Sequence, residues 1–402
     1  MSAANEPGSH TVFQLLPAEG PPCSYHESVP RVPAHSSWFV LLALLGGVVL
    51  IPGCNQDDFV QRTSGAAVTK PVTERSSSAG AVSGNPLFVL STRPWDPPVD
   101  TGPSGSLITT PHYSLHSTLE DGWLSEKMPA YLESALEHYR TAIIDLPLPE
   151  DSLETYILGE RAQWQAFTRK LLPGEAGLYL SLGKGGFTTR GRAVLYDIGR
   201  WDTLCITAHE GWHQFCQNTF KESLPAWMDE GIATYMEGCR FERAYEIPRF
   251  MPWRNFERFN ELRSCHRNRE LIPLPELLTR SPEYFLKQGT DSLLGYYAQV
   301  WALTHFFMEA EGGRYRPAME AALRDAFNGQ LGRTLLESPR LGSITNRRRA
   351  AKGARGIAVA VVYFNPDLDE LQAQFDEFLD QVVARGSGND IARGRSPLPD
   401  PE

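Results

Sequence analysis

Residues 204–238, LCITAHEGWHQFCQNTFKESLPAWMDEGIATYMEG, decide the fold of this chain. They contain the pattern H-E-x-x-H at His209-Glu210-Gly211-Trp212-His213. On a helix, residues four apart lie one above the other, so His209 and His213 present two imidazoles to one point. Glu210 lies beside them and is placed to act on a water bound to a shared metal ion. The pattern predicts a helix although Gly211 costs about 1 kcal/mol relative to Ala.

A metal site of this kind needs a third protein ligand. The segment 227–233, WMDEGIA, offers one in Glu230. Pro225 suits the first turn of a second helix, and Ser223 is a suitable cap for it. A short turn between the two helices would bring Glu230 back towards the histidines, although Asp229 is a rival ligand.

The two motifs together resemble the gluzincin metallopeptidases, in which a W-x-x-E-G-x-A segment follows H-E-x-x-H and its Glu binds zinc. The closest likeness is to the peptidase-MA-like proteins, which include a group of bacterial lipoproteins. The resemblance implies that His209, His213 and Glu230 bind Zn²⁺ and that Glu210 is the general base. It also implies that Asp229 is a solvated carboxylate or one that contacts a ligand rather than the metal.

The segments ahead of the motif predict a small mixed sheet with helices. Apolar periodicity indicates strands over 107–113, 155–158, 178–182 and 192–196, and helices over 126–144 and 162–172. The resemblance spans residues 107–385 and implies an α+β, zincin-like fold. In that fold a small mixed sheet is followed by a mainly helical metal-binding subdomain.

A glycine-rich segment, GKGGF at 183–187, lies between two of the predicted strands. It lacks the order strand, GxxxxGK[ST], helix that defines a phosphate-binding loop. We therefore interpret it as the turn of a hairpin beside the site. In gluzincins an edge strand at this place pairs with extended substrate, and glycine allows close backbone approach. The aminopeptidase signature of this clan is not present, so the resemblance favours an endopeptidase.

Residues 292–310 predict a long helix whose segment 297–303, YAQVWAL, resembles the helix that carries a catalytic tyrosine in this clan. Tyr296 and Tyr297 compete for that role, and the family pattern favours Tyr297. The alternative is a core tyrosine bonded to a backbone carbonyl. His305, on the same helix, is interpreted as a structural histidine.

The first 54 residues predict an export signal. The apolar run WFVLLALLGGVVLI at 38–51 is too short for a comfortable transmembrane helix, which needs about 20 residues. It has the length of the apolar core of a signal peptide. The run ends in LIPGC, which resembles a lipobox and implies lipidation at Cys54. The alternative is a plain cleaved or anchoring signal. Either way we expect the catalytic part to be exported, and lipidation at Cys54 would make the protein a membrane-anchored lipoprotein of a bacterial cell envelope.

Composition sets the remaining boundaries. Residues 55–106 are rich in Ser, Gly, Thr and Pro and predict a disordered linker, residues 107–385 form the predicted metallopeptidase domain, and residues 386–402 read as a polar tail. The net charge of −10 argues against a nucleic-acid partner.

The six cysteines are too few for a disulfide scaffold at this length. Cys239 and Cys265 are the one pair for which we expect a disulfide in an oxidising compartment. Cys205 and Cys216 lie close to the histidines in sequence, and we interpret both as small buried apolar residues.

The expected function is hydrolysis of peptide bonds in a peptide or protein substrate. Zinc would lower the pKa of its bound water, and Glu210 would take the proton. Two alternatives remain open from the sequence: a zinc-containing envelope binding or assembly lipoprotein without significant turnover, and a structural lipoprotein in which H-E-x-x-H is accidental.

Overall fold

The computed structural model describes residues 88–180, 185–241, 247–353 and 355–399. The predicted signal, Cys54 and residues 55–87 of the predicted linker lie outside these ranges. None of the helices in the described part of the chain is long and apolar enough to span a membrane.

The core of the first half is a six-stranded sheet with the order β1-β2-β3-β4-β6-β5. β3 pairs with β4 and β4 with β6 in parallel, whereas the other three pairings are antiparallel. Parallel neighbours need crossover connections, and helices supply them here. The strands are β1 Ser91–Trp95, β2 Gly105–Thr109, β3 Tyr113–Ser117, β4 Leu153–Leu158, β5 Gly186–Thr189 and β6 Arg192–Tyr196.

Helices dominate the second half, together with the two-stranded ribbon β7 Cys239–Phe241 and β8 Pro248–Phe250. The helices of the described chain are α1 Gly122–Thr141, α2 Arg161–Leu171, α3 Ala176–Leu180, α4 Arg200–Thr219, α5 Ala226–Met236, α6 Phe256–Asn268, α7 Leu274–Thr279, α8 Pro282–Leu286, α9 Thr290–Gly313, α10 Arg316–Asn328, α11 Leu331–Glu337, α12 Ile344–Ala351, α13 Gly356–Val359, α14 Leu368–Val382 and α15 Ser387–Ala392. A 3₁₀ turn, Pro339–Leu341, and a π-helical segment, Ala360–Phe364, complete the set.

Helix α1 fixes α4, the helix that carries H-E-x-x-H. The side chain of Asp121 caps α1 by accepting a hydrogen bond of 2.8 Å from the backbone nitrogen of Leu124. Two buried tyrosines of α1 then reach α4: Tyr131 donates to the carbonyl of Leu204 at 2.7 Å, and Tyr139 donates to that of Ala208 at 2.8 Å. These two hydrogen bonds hold α4 against α1 over the two helical turns that precede His209.

The sheet holds α4 from its other side. Thr188 of β5 donates to the carbonyl of Glu210 at 2.9 Å. One turn further along, the side-chain amide of Gln214 donates to the backbone oxygens of Glu154 and Gly191 at 2.7 and 3.1 Å. The H-E-x-x-H segment is therefore bonded to an edge strand of the sheet.

The predicted α+β fold, a mixed sheet followed by a mainly helical region, is confirmed. The strands expected over 155–158 and 192–196 are β4 and β6, and the helices expected over 126–144, 162–172 and 292–310 are α1, α2 and α9. The strand expected over 107–113 covers instead the end of β2, the turn and the start of β3.

The strand predicted over 178–182 is wrong, because Ala176–Leu180 is helical. A short apolar run does not distinguish strand from buried helix, and here Tyr179 packs on Phe187 with ring centroids 4.0 Å apart. Of the glycine-rich turn expected at 183–187, residues 183 and 184 lie outside the described residues, and Gly186 and Phe187 belong to strand β5. The β5–β6 hairpin turns at Arg190 and Gly191, which have φ of 50° and 74°. Positive φ at both central residues is the requirement of a type I′ hairpin turn.

Two predicted boundaries need correction. The linker expected over 55–106 overlaps the sheet, because β1 pairs with β2 along its whole length. The polar tail expected over 386–402 contains helix α15, whose Ile391 is fully buried. The structured part of the chain therefore extends beyond residues 107–385 at both ends.

The expected Cys239–Cys265 disulfide is absent, since both residues are free thiols. Their side chains face different neighbours. Cys239 contacts the hydroxyl of Tyr131, whereas the Sγ atom of Cys265 lies 3.8 Å from a carboxylate oxygen of Glu261 in its own helix. Burial is the main cause that raises the pKa of Cys239 to about 11 and of Cys265 to about 12, as expected of inert thiols.

Candidate metal centre

Two helices bring the predicted ligands together. His209 and His213 lie one turn apart on α4, with ring centroids 5.0 Å apart. The chain then reverses, and α5 places Glu230 opposite them. Oε2 of Glu230 lies 3.3 Å from Nε2 of His209 and 3.6 Å from Nε2 of His213. All three side chains are buried, and one ligand atom from each lies within 4.8 Å of the other two. The three residues are close enough to bind a metal ion.

The start of α5 differs in detail from the prediction. Pro225, in an extended conformation, is the flanking residue, and the helix begins at Ala226 rather than at Pro225 behind a Ser223 cap. The helix is instead held by its side chains. The indole of Trp227 donates to the carbonyl of Gly356 at 3.2 Å. The W-x-x-E-G motif thus anchors α5 on one face and presents Glu230 on another.

The orientation of the His209 ring follows from a contact with Glu237 on the side that faces away from the centre. Nδ1 of His209 lies 2.9 Å from Oε1 of Glu237, one helical turn beyond the end of the motif. The pKa of Glu237 is about 2: burial opposes ionisation, but the charges and hydrogen bonds of Arg258 and His209 outweigh it. An ionised carboxylate only accepts hydrogen bonds, so Nδ1 of His209 donates to Glu237, and Nε2 is the ring nitrogen that faces the centre.

Asp229 lies close to the outer nitrogen of His213. Oδ1 of Asp229 lies 3.2 Å from Nδ1 of His213 and accepts a hydrogen bond of 3.0 Å from the indole of Trp212. Asp229 therefore contacts a predicted ligand on the side that faces away from the centre. This position of Asp229 agrees with the interpretation that Glu230, rather than Asp229, faces both histidines.

The atoms that face the centre lie close to one another but form no hydrogen bond of normal geometry. Among the described residues, Nε2 of His209, Nε2 of His213 and Oε2 of Glu230 have no hydrogen-bond partner although they are buried. Burial would raise the pKa of Glu230, but the two histidines outweigh it and hold the value at about 2. Buried polar atoms normally have partners. Two imidazole nitrogens and one carboxylate oxygen are ligand types that zinc prefers, so the residues fit a divalent cation.

Glu210, the predicted general base, lies close enough to His209 and His213 for their charges to act on its carboxyl group. Its side chain is fully buried, and in the described chain neither carboxylate oxygen has a hydrogen-bond partner. Burial raises the pKa of Glu210, while the charges of His213 and His209 oppose that rise. A carboxylate in this state is available to accept a proton at the centre.

The two competing tyrosines face different neighbours. The ring of Tyr297 meets the ring of His209 edge to face, with centroids 6.0 Å apart. Tyr296 stacks instead on Phe285 of α8, with centroids 4.7 Å apart. The preference for Tyr297 as the residue beside the centre agrees with this placement, and its catalytic role remains a prediction. The ring of His305 stacks on that of Trp253, and its Nδ1 atom lies 3.0 Å from Oε1 of Glu309. These contacts agree with the interpretation of His305 as a structural histidine.

Sequence reasoning missed the residues that support the ligands from outside. Glu237 lies seven residues after Glu230, two helical turns on, and this spacing was a usable signal. Asn255 and Arg258, which both contact Glu237, had no sequence signal because they come from another helix. Thr188 also had no sequence signal, because it comes from strand β5.

The arrangement defines a buried site of two histidines and one glutamate that suits a metal ion. A family model described as a protein of unknown function (DUF1570) matches residues 203–323. The matched segment contains the predicted ligands, Glu210 and Tyr297. A search of curated proteins found no match to this chain.

Proposed function

We propose that this chain is an exported, zinc-dependent metallopeptidase that hydrolyses peptide bonds with Glu210 as general base. One observation carries the proposal: three buried ligand atoms lie close together next to the buried carboxylate of Glu210, and none of these atoms has a hydrogen-bond partner among the described residues. The resemblance of both motifs to gluzincins supports it. Export and lipid attachment at Cys54 belong to the same proposal and are supported by the sequence of residues 38–54.

Zinc held by His209, His213 and Glu230 would supply a Lewis acid that polarises a carbonyl and acidifies a water. The carboxylate of Glu210 would accept the proton that the attacking water loses and would deliver it to the nitrogen of the leaving amine. Burial favours this role, because a raised pKa brings a glutamate closer to the pH at which it works. The phenol of Tyr297 donates a hydrogen bond to the developing oxyanion.

We propose that the edge strand β5 is where a peptide substrate binds. β5 is the last strand of the sheet, and Thr188 ties it to the backbone of Glu210. An extended peptide that pairs with an edge strand gains main-chain hydrogen bonds without a requirement for particular side chains. We propose this mode for the substrate, which makes an endopeptidase the favoured form of the activity.

A second candidate function is a zinc-containing binding or assembly protein without turnover. The enclosure of the site favours it: His209, Glu210, His213 and Glu230 are each at most 3% exposed, and all four residues of β5 are buried. In this state a peptide reaches Glu210 only after covering segments have moved. A protein that keeps the site closed would bind zinc without cleaving anything.

Cleavage of a randomised peptide library by the zinc-loaded full-length chain distinguishes the two functions. We expect cleavage that stops on zinc removal, returns on zinc addition, and falls by about 10²–10⁴-fold in Glu210→Gln with zinc still bound. Glu137→Gln, an exposed glutamate on α1, is the matched control and should keep full activity. Stoichiometric zinc with no cleavage would favour the second function. Full activity of Glu210→Gln would refute the assigned general base.

A further inference from the structure

The carboxylate of Glu237 receives hydrogen bonds from three side chains. Oε1 lies 2.9 Å from Nδ1 of His209 and accepts a second bond of 2.9 Å from Nη2 of Arg258. Oε2 accepts from Nδ2 of Asn255 at 2.6 Å and from Nε of Arg258 at 3.2 Å. Four donors on two oxygens leave this carboxylate no freedom to rotate, because each rotation breaks at least one bond.

Arg258 is the residue that fixes the plane of Glu237. Its Nε and Nη2 atoms grip both oxygens in a fork, the geometry in which a guanidinium matches a carboxylate. Arg258 is 2% exposed, and it lies in the first turn of α6, where the cap Asn255 accepts from its backbone nitrogen at 3.3 Å. The guanidinium therefore comes from a rigid element.

The same guanidinium also contacts Tyr297. Its central carbon lies 5.2 Å from the centroid of the Tyr297 ring, within the range of a cation–π contact. The ring of Tyr297 in turn lies against His209. One buried cation thus touches both the carboxylate that orients His209 and the tyrosine beside it.

We propose that Arg258 is a positioning residue of the metal centre, which fixes His209 through Glu237 and holds Tyr297 through its ring face. The proposal rests on the proposed function, since it assigns a role towards the zinc ion that His209 would hold. Outer partners of zinc-binding histidines typically contribute about 10–100-fold to metal affinity. Arg258 does not contact His209 itself but acts on it through the carboxylate of Glu237. In the described chain, no other guanidinium pairs with that carboxylate.

A cavity of about 160 Å³ adjoins this cluster and makes a direct test possible. The residues that line it include Glu237, Asn255 and Arg258, together with Asp202, Cys205 and Arg254. If the side chain of Arg258 is removed, a free guanidinium ion can enter from the cavity and occupy the vacated position. Urea, which has the same shape and no charge, provides the control.

The test measures the zinc dissociation constant of the full-length chain by competition with a chelator. In Arg258→Ala we expect zinc affinity to fall about 10–100-fold, with partial recovery in millimolar guanidinium and none in urea. Arg263→Ala is the matched control, because Arg263 lies on the same helix and over the ring of Phe259 but is exposed. An affinity of Arg258→Ala equal to the wild type would overturn the proposal.

Loss of Arg258 also leaves a buried charge on Glu237, which destabilises the fold by itself. The double variant Arg258→Ala/Glu237→Gln removes that charge. We expect it to regain thermal stability while its zinc affinity stays lowered. If zinc affinity also returns to the wild-type value, the ion pair serves folding alone and the proposal is wrong.

A second readout follows Tyr297. In protein with ¹³C-labelled tyrosine, the ring resonance that disappears in Tyr297→Phe should shift in Arg258→Ala and stay unchanged in Arg263→Ala. An unmoved resonance in Arg258→Ala would refute the contact with Tyr297. A wild-type chain that binds no zinc would instead refute the proposed function. A wild type that binds zinc, with Arg258→Ala indifferent, refutes this inference alone.

Discussion

The rings of Tyr297 and His209 meet edge to face, with centroids 6.0 Å apart, although the residues are 88 positions apart in the chain. The contact brings the middle of α9 against the H-E-x-x-H helix. Its neighbour Tyr296 points to another helix and has a buried hydroxyl without a hydrogen-bond partner among the described residues. The two adjacent phenols therefore lie in different chemical surroundings.

Tyr297→Phe should lower turnover of a cleaved peptide by about 10²–10³-fold, the usual effect of removing one donor to an oxyanion. Zinc content and the melting temperature should stay near the wild-type values, because the ring contact with His209 is kept. Steady-state kinetics on the cleaved peptide, with elemental analysis of zinc, give both numbers.

Tyr296→Phe is the matched control for that experiment. It removes a buried hydroxyl that has no described partner, so stability should be unchanged or slightly higher. Turnover should stay within about twofold of the wild type, since an uninvolved hydroxyl contributes no transition-state stabilisation. If the two phenotypes are exchanged, Tyr296 is the catalytic tyrosine.

Gly231, the glycine of the W-M-D-E-G-I-A motif, lets α5 approach α9 closely. A Cβ atom at this position would lie 2.5 Å from Oγ1 of Thr304 and 2.7 Å from the carbonyl oxygen of Val300. Gly231→Ala should therefore lower the free energy of unfolding by about 1–3 kcal/mol through overpacking. The gain of about 1 kcal/mol in helix propensity offsets part of this cost, so the net loss in unfolding free energy should be up to about 2 kcal/mol. Urea unfolding measures it.

Gly122→Ala serves as the control, because a Cβ atom at the start of α1 would meet nothing within 4 Å. Its free energy of unfolding should match or slightly exceed that of the wild type. A Gly231→Ala variant as stable as the wild type would mean that α5 and α9 are further apart than described.

His138 should make stability depend on pH. Its Nε2 atom is buried without a partner in the described chain, and its ring stacks on Phe250 with centroids 4.8 Å apart. Burial lowers the pKa of His138 to about 4. Between the ordinary pKa of about 6.5 and this value, the unfolded chain binds a proton that the folded chain does not. The contribution of His138 to stability therefore falls as the pH falls through this window.

From pH 7 to pH 5 the wild type should lose about 2 kcal/mol more unfolding free energy than His138→Phe, which keeps the stacking but cannot titrate. Urea unfolding at both pH values gives the difference. Equal losses in the two proteins would show that His138 is protonated in the folded state at pH 5.

The sequence predicted the ligands because their geometry is local. His209 and His213 are four residues apart on one helix, and Glu230 follows after one reversal of the chain. The supporting contacts are not local. Arg258 reaches Glu237 from α6, 21 residues further on, and nothing in either sequence context indicates that pairing.

The errors in the predicted secondary structure also have physical causes. β1 is an exposed edge strand that contains Pro94, so it shows neither the alternation nor the composition of a typical strand. The run around Tyr179 is apolar because it packs on Phe187, and apolarity alone does not choose between strand and helix. Both segments depend on neighbours that are distant in sequence.

The central claim is that His209, His213 and Glu230 hold a zinc ion, and bound zinc per chain tests it most directly. Purified protein equilibrated with zinc and freed of excess metal should contain one ion per chain by elemental analysis. Glu230→Ala should lose most of that zinc. Asp229→Ala should retain it when zinc is saturating, because Asp229 contacts only the outer nitrogen of His213. A wild-type chain without stoichiometric zinc, or a Glu230→Ala variant that binds as much as the wild type, would contradict the account.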